Sequence, residues 1–226
     1  MSGAGRPSTW RCSGPWRPRN RRDRPWDHGI EQLVILGAGY DSRAYRLPGC
    51  ERLDVYEVDH PDTQAVKRQV IADALGRGPA HVHFVAVDFD RDDLGAALDR
   101  AGFQQGRPTF VLWEGVASHL AADAVDATVR WAHDATGERS ELAFTYVHRG
   151  LIDGTVPFPH AEAWVRSVAN AGEPFVFGFD PAELPAYMHR RGWNRLEDIS
   201  TTEALTRHGL DPSGVPAFYR IARARH

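Results

Sequence analysis

From Glu31 onward, short apolar runs alternate with segments whose apolar residues recur every three or four positions, and few architectures accommodate that alternation. The first run, Gln32–Leu36 (QLVIL), is apolar nearly throughout, as a strand covered on both faces must be. Further runs fall at Arg52–Val58, His81–Val87, Thr109–Trp113 and Glu141–Val147. Helical patterns separate them, so the strands are joined by crossovers rather than hairpins. The expectation is an α/β fold: a doubly wound, mostly parallel sheet with helices on both sides.

The helices carry their own signals. Pro61 suits a first helical position, where its missing N–H is no loss, and Val66, Val70 and Ala74 predict that helix's buried stripe. A helix over Asp92–Ala101 follows the third strand, and one over Ala121–Ala135 shows Val125, Val129 and Ala132 on a single face. After Tyr146 the pattern loosens around Pro157, Pro159, Pro174 and Pro181. Helices are expected over Ala161–Ala171 and Pro181–Arg191, with closing strands at Trp193–Ile199 and Ala217–Ala222 that bring the sheet to seven. The residues between the fifth strand and Pro181 read as an inserted lid.

The chain is long enough, at 226 residues, for one domain that buries roughly 70% of its unfolded surface. That domain is expected over residues 29–226. Residues 1–28 hold seven arginines, three tryptophans and four prolines without apolar periodicity, and read as a disordered leader. A net charge of -3 argues against a nucleic-acid or membrane-surface role. Cys12 and Cys50 fit neither a metal spacing nor a disulfide framework, and no apolar run approaches a membrane span. These features predict a cytoplasmic protein without a metal. Lys67 is the only lysine among 27 lysine and arginine residues, which reads as a trace of base composition.

In a parallel sheet, ligands bind beyond the C-terminal strand ends. Collecting the residues there gives Gly37-Ala38-Gly39-Tyr40-Asp41, then Asp59, then Asp88-Phe89, then Glu114-Gly115. Gly37 and Gly39 allow a sharp turn and close approach of a ligand to the backbone. Asp59 follows Gly39 by 20 residues, the interval at which a carboxylate accepts from ribose hydroxyls. A dinucleotide such as NAD is the rival ligand, but Ser42 occupies the place of the third fingerprint glycine, and four carboxylates make the crevice acidic. That charge suits a cationic ligand with a neutral nucleoside, such as S-adenosylmethionine.

The stretches VILGAGYDSRAYRL, YEVDHPDTQAVKR, FVAVDFDRDDL, RPTFVLWEGV and FVFGFDPAELPAYMHRRGW resemble, in this order, the bacterial branch of the leucine carboxyl methyltransferase family. The resemblance implies a Rossmann-like class I methyltransferase fold using S-adenosylmethionine. It implies that Gly37 and Gly39 contact the methionine part of the cofactor and Asp59 its ribose. Asp88 would accept from the adenine amino group, Phe89 border the ring, and Glu114 lie near the methionine portion. Trp113 is expected in the core. Two departures stand out: residues 1–28 do not match the family's N-terminal helices, which leaves the pocket open on one side. Ala117-Ser118-His119-Leu120 also replaces an expected Thr-Met-Tyr-Leu.

The expected activity is methyl transfer to a hydroxyl or carboxylate oxygen of a small-molecule acceptor. His119 is the candidate base, five residues past Glu114, and Tyr146, His148 and His160 are candidate acceptor contacts. Two alternatives are a nicotinamide-dependent oxidoreductase and a truncated, non-catalytic cofactor binder.

Overall fold

The computed structural model describes residues 28–159 and 161–226. The segment read as a leader therefore lies outside the described residues apart from His28, as do Cys12 and His160. Among the described residues the strands are β1 (Gln32–Leu36), β2 (Asp54–Asp59), β3 (Val82–Ala86), β4 (Thr109–Trp113), β5 (Glu141–Val147), β6 (Arg195–Ser200) and β7 (Tyr219–Arg225). They form one sheet in the order β3-β2-β1-β4-β5-β7-β6, parallel except for β7, which runs against both its neighbours. All five residues of β1 are buried. It pairs with β2 on one side and β4 on the other, which is why its sequence is continuously apolar.

The helices are α1 (Arg43–Arg46), α2 (Pro61–Leu75), α3 (Leu94–Arg100), α4 (Ala122–Asp134), α5 (Arg149–Ile152), α6 (Ala161–Asn170), α7 (Leu184–His189) and α8 (Thr201–Arg207). On one face of the sheet, Val125, Val129 and Ala132 of α4 join Leu98, Leu184 and Trp193 against Trp113, Phe144 and Tyr146. Each such side chain contributes about 1.5–3 kcal/mol when fully buried. On the other face, Leu33, Ile35 and Val55 pack against Ala44, Cys50 and Leu53. There the cover thins toward β4, β5 and β7. Phe110, Leu112, Ala143 and Ile221 are only half-buried, while their strand neighbours Val111, Leu142 and Ala222 have no exposure.

The α2 helix departs from the expected stripe. Val66 and Val70 are 50% and 49% exposed, Ala74 is exposed, and Gln64 and Lys67 face the sheet instead. The reason lies on β2, where Glu57 is 1% exposed; a buried carboxylate must have hydrogen-bonding partners, and that need outweighs burial of two valines. Lys67 and Gln64 both reach it, the first by its carboxylate and the second by its backbone carbonyl. The expected helix over Pro181–Arg191 is confined to α7, with a turn before it. No helix among the described residues is long and apolar enough to cross a membrane.

Candidate cofactor site

Strand register brings three ends level. Leu36 pairs with Val58 on one side and Trp113 on the other, so the residues that follow, Gly37, Asp59 and Glu114, emerge side by side. This edge is also where the winding reverses, with β4 beside β1, and in doubly wound sheets a crevice opens at that reversal. On the next strand Asp59 pairs with Ala86, which places Asp88 and Phe89 one step further along the same edge.

Two glycines shape the first turn for different reasons. Gly37 has φ +68°, and a Cβ there would lie 2.2 Å from Val116 Cγ2. Its bare Cα therefore admits the turn after β4. Gly39 has φ +39°, and a Cβ there would meet nothing nearer than the Gly37 carbonyl at 4.0 Å. Gly115, at φ +76°, has nothing within 4 Å. Gly39 and Gly115, rather than Gly37, are thus the glycines that leave space beside the backbone.

Asp59 closes the turn. Its Oδ2 accepts from the Gly39 N–H and its Oδ1 from the His60 N–H, the latter at 2.7 Å. Each oxygen keeps a second lone pair, the acceptor set a ribose diol requires. Asp88 caps its own turn through the Asp90 N–H at 3.0 Å, and its carboxylate lies 3.7 Å from Arg91 Nε. Phe89 is half-buried against the main core. Trp113 is fully buried, as expected.

Arg43 changes the charge of the crevice. It donates to the Glu114 carboxylate and lies 3.4 Å from that of Asp41, so a single positive charge is shared between two of the four carboxylates grouped by the sequence reading. Its own N–H is capped by Asp41 at 2.7 Å. That Asp-x-Arg step at a helix start is the sequence signal for the pairing. Deeper in, burial pushes the Glu57 carboxyl up, although Lys67 and the Tyr45 hydroxyl, each at 2.9 Å, draw it the other way.

On the β5 side, residues Ala117–His119 form a single 3-10 turn. Ser118 is buried; its Oγ accepts from the Val147 N–H at 3.0 Å, and its carbonyl accepts from the N–H groups of Val176 and Phe177 at 2.9 and 3.2 Å. His119 Nδ1 lies 3.1 Å from the Pro174 carbonyl, with its ring 5.3 Å from that of Phe175. The turn therefore clasps the segment between α6 and α7. His148 caps α5 through its Nδ1, 3.0 Å from the Gly150 N–H.

Tyr146 is not at the crevice mouth. Side chains alternate along a strand, and this alternation turns Tyr146 into the core with no exposure, its hydroxyl donating to Asp198 at 3.0 Å and accepting from Arg220 at 3.1 Å. Burial and the Asp198 carboxylate push its phenol far up. Among the described residues, no three His, Cys, Asp or Glu side chains are grouped to hold a metal ion.

Comparison with known proteins bears on this arrangement. Residues 21–133 match the profile described as leucine carboxyl methyltransferase. A protein of Mycobacterium sp. (strain KMS), provisionally named an S-adenosyl-L-methionine-dependent methyltransferase, is 36% identical over 191 residues, covering 81% of this chain and 60% of its own length. A second of that name, from Mycolicibacterium paratuberculosis, is 34% identical over 193 residues, covering 80% and 57%. The chain thus spans about three fifths of the length of these relatives. Among solved structures, a provisionally named O-methyltransferase of Nostoc punctiforme superposes with a TM-score of 0.57 at 13% identity, over 88% of this chain and 52% of that one. Human N-acetylserotonin methyltransferase, solved with S-adenosylmethionine, gives 0.53 at 12%, over 87% and 47%. At such identities the likeness concerns the fold alone, which is the class I methyltransferase form of the Rossmann-like sheet. With half of its length matched by one family profile, the chain belongs to the leucine carboxyl methyltransferase family.

Proposed function

We propose that this chain binds S-adenosylmethionine at the edge formed by β1, β2 and β4 and transfers its methyl group to an oxygen of a small-molecule acceptor. The observation that carries the reading is the contact between Asp59 and the Gly39 N–H, 20 residues apart. It sets a carboxylate with spare lone pairs against backbone left open by Gly39 and Gly115, and the relatives' names supply the cofactor class.

The cofactor, when bound, supplies a methyl group on a cationic sulfur, open to in-line displacement by the acceptor oxygen. The chain's own task is to bind and orient. Asp59 takes the ribose hydroxyls, Asp88 the adenine amino group and Phe89 the ring, while Gly37, Gly39 and Glu114 border the methionine part. Positioning of this kind lowers a barrier by about 7–11 kcal/mol.

For the acceptor, a cleft of about 400 Å³ lies beside the Ser118 clasp, lined by Val176, Phe177, Phe179, Tyr187 and Arg149 among others. That volume suits a small molecule. With its Nδ1 proton on the Pro174 carbonyl, His119 keeps the Nε2 lone pair as a base for a hydroxyl acceptor. A carboxylate acceptor needs none. His148 stands at the start of α5 on the same side; His160, outside the described residues, remains a candidate acceptor contact from the sequence alone.

Titration calorimetry with S-adenosylmethionine and with NAD tests the cofactor; heat with the first and none with the second is expected, and the reverse overturns the reading. Labelled methyl counted on a panel of phenols and carboxylic acids tests the transfer. Cofactor binding with no product on either class would leave a binding protein and refute the catalytic half.

A further inference from the structure

Lys67 is the one lysine of the chain, and it is buried, 4% exposed, on the inner face of α2. Its Nζ lies 2.9 Å from Glu57 Oε2, which also accepts from the Tyr45 hydroxyl at 2.9 Å. The other oxygen of Glu57 is buried with no hydrogen-bond partner among the described residues. An apolar pair of similar volume would hold α2 to β2 at least as well as two desolvated charges. The pair therefore calls for a role beyond adhesion.

Its geometry supplies one. Lys67 Nζ also donates to the Ala38 carbonyl at 3.3 Å, in the middle of the Gly-Ala-Gly turn. A peptide unit is planar and trans, so its C=O and N–H point in opposite directions. In the Ala38–Gly39 peptide the C=O rests on Lys67 and the N–H on Asp59. The Asp41 N–H meets the same carbonyl at 2.7 Å, and the Ala38 N–H reaches the Val58 carbonyl at 2.9 Å. The peptide is thus held on both edges.

We propose that Lys67 is a positioning residue: anchored by Glu57 and Tyr45, it fixes the Ala38–Gly39 peptide plane and so aims the Asp59 carboxylate at the ribose of the cofactor. The inference rests on the placement of the ribose at Asp59. A compact ammonium suits the task, because it can sit at one point between a carboxylate and a carbonyl, whereas a planar guanidinium forks its donors. All the other long cationic side chains of the chain are arginine.

The test separates aim from fold. Wild type, Lys67→Met and the double variant Lys67→Met with Glu57→Gln are titrated with S-adenosylhomocysteine and with its 2′,3′-dideoxy analogue. The double variant removes both charges and keeps an acceptor for Tyr45, which guards against collapse around an unpaired carboxylate; a thermal melt confirms that it is folded. In wild type, loss of the two hydroxyls is expected to weaken binding about tenfold or more. In the folded variants that ratio is expected to shrink to about threefold or less. Merely structural damage weakens both ligands alike and leaves the ratio where it was, and that result overturns the proposal. A wild type that binds the two ligands equally refutes the ribose placement itself, and the proposal with it. A wild type that binds neither refutes the cofactor reading.

Discussion

Replacing Gly37 with alanine asks whether its bare Cα serves packing, as the structure indicates. A left-handed φ of +68° costs an alanine about 1–2 kcal/mol. The new methyl would lie 2.2 Å from Val116 Cγ2 and 3.3 Å from Val116 Cβ, and relieving such an overlap costs about 1–3 kcal/mol more. The sum, about 2–5 kcal/mol, lowers the melting temperature by on the order of 10 °C for a chain of this size. Val116→Ala removes the γ carbons and leaves only the 3.3 Å contact. The double variant should therefore be more stable than the two single effects predict, with a coupling of about 1–3 kcal/mol. Urea unfolding followed by tryptophan fluorescence measures it, since Trp113 is fully buried. Gly39→Ala is the control: it has open space around it and should show only the backbone cost, with no relief from Val116→Ala. Additivity of Gly37→Ala and Val116→Ala within about 0.5 kcal/mol would refute the packing argument.

The carboxylate of Asp126 is pushed up by burial, but bonds from Arg130 at 2.7 Å, from Arg191 and from the Tyr187 hydroxyl at 3.0 Å prevail and hold its carboxyl below the usual range. A depressed carboxyl stabilises the fold above its unfolded value, near pH 4, and loses that contribution as the pH falls through its folded value. Asp126→Asn should cost about 2–3 kcal/mol at neutral pH and flatten the melting curve's acid limb below about pH 4; an acid limb parallel to wild type would count against this. His119→Ala should slow transfer to a hydroxyl acceptor by about 10²–10⁴-fold and spare a carboxylate acceptor. Equal slowing on both would assign His119 to anchoring Pro174 and not to proton transfer.

Much of the sheet was legible because doubly covered strands leave an unmistakable trace. β1, β4 and β5 have the boundaries their apolar runs suggest, and the stripe of α4 is buried as its spacing implies. The spacing from Gly39 to Asp59 likewise marked a real contact. What misled was local patterning set against distant partners. The valines of α2 look like a core face, yet a carboxylate on another strand decides which side turns inward. For the same reason Lys67 passed as a compositional accident. Tyr146 was placed by its position at a strand end, without regard to which way alternation points it. The α8 helix was overlooked because none of its residues is buried, though the Ser200–Glu203 capping box announced it.

The Ser118 clasp has a dynamic consequence. For the stretch from Pro174 to Phe177 to swing away, the hydrogen bonds that the Val176 and Phe177 N–H groups donate to the Ser118 carbonyl must break together with the contact to His119. At about 1 kcal/mol each, these contacts alone set the opened form a few kcal/mol above the closed one, and the packing of Phe175 on Phe218 and Tyr219 and of Phe177 on Phe179 adds to that cost. Any such opening also frees the His119 imidazole from the Pro174 carbonyl, so in the proposed reaction the position of this stretch and that of the base are set together.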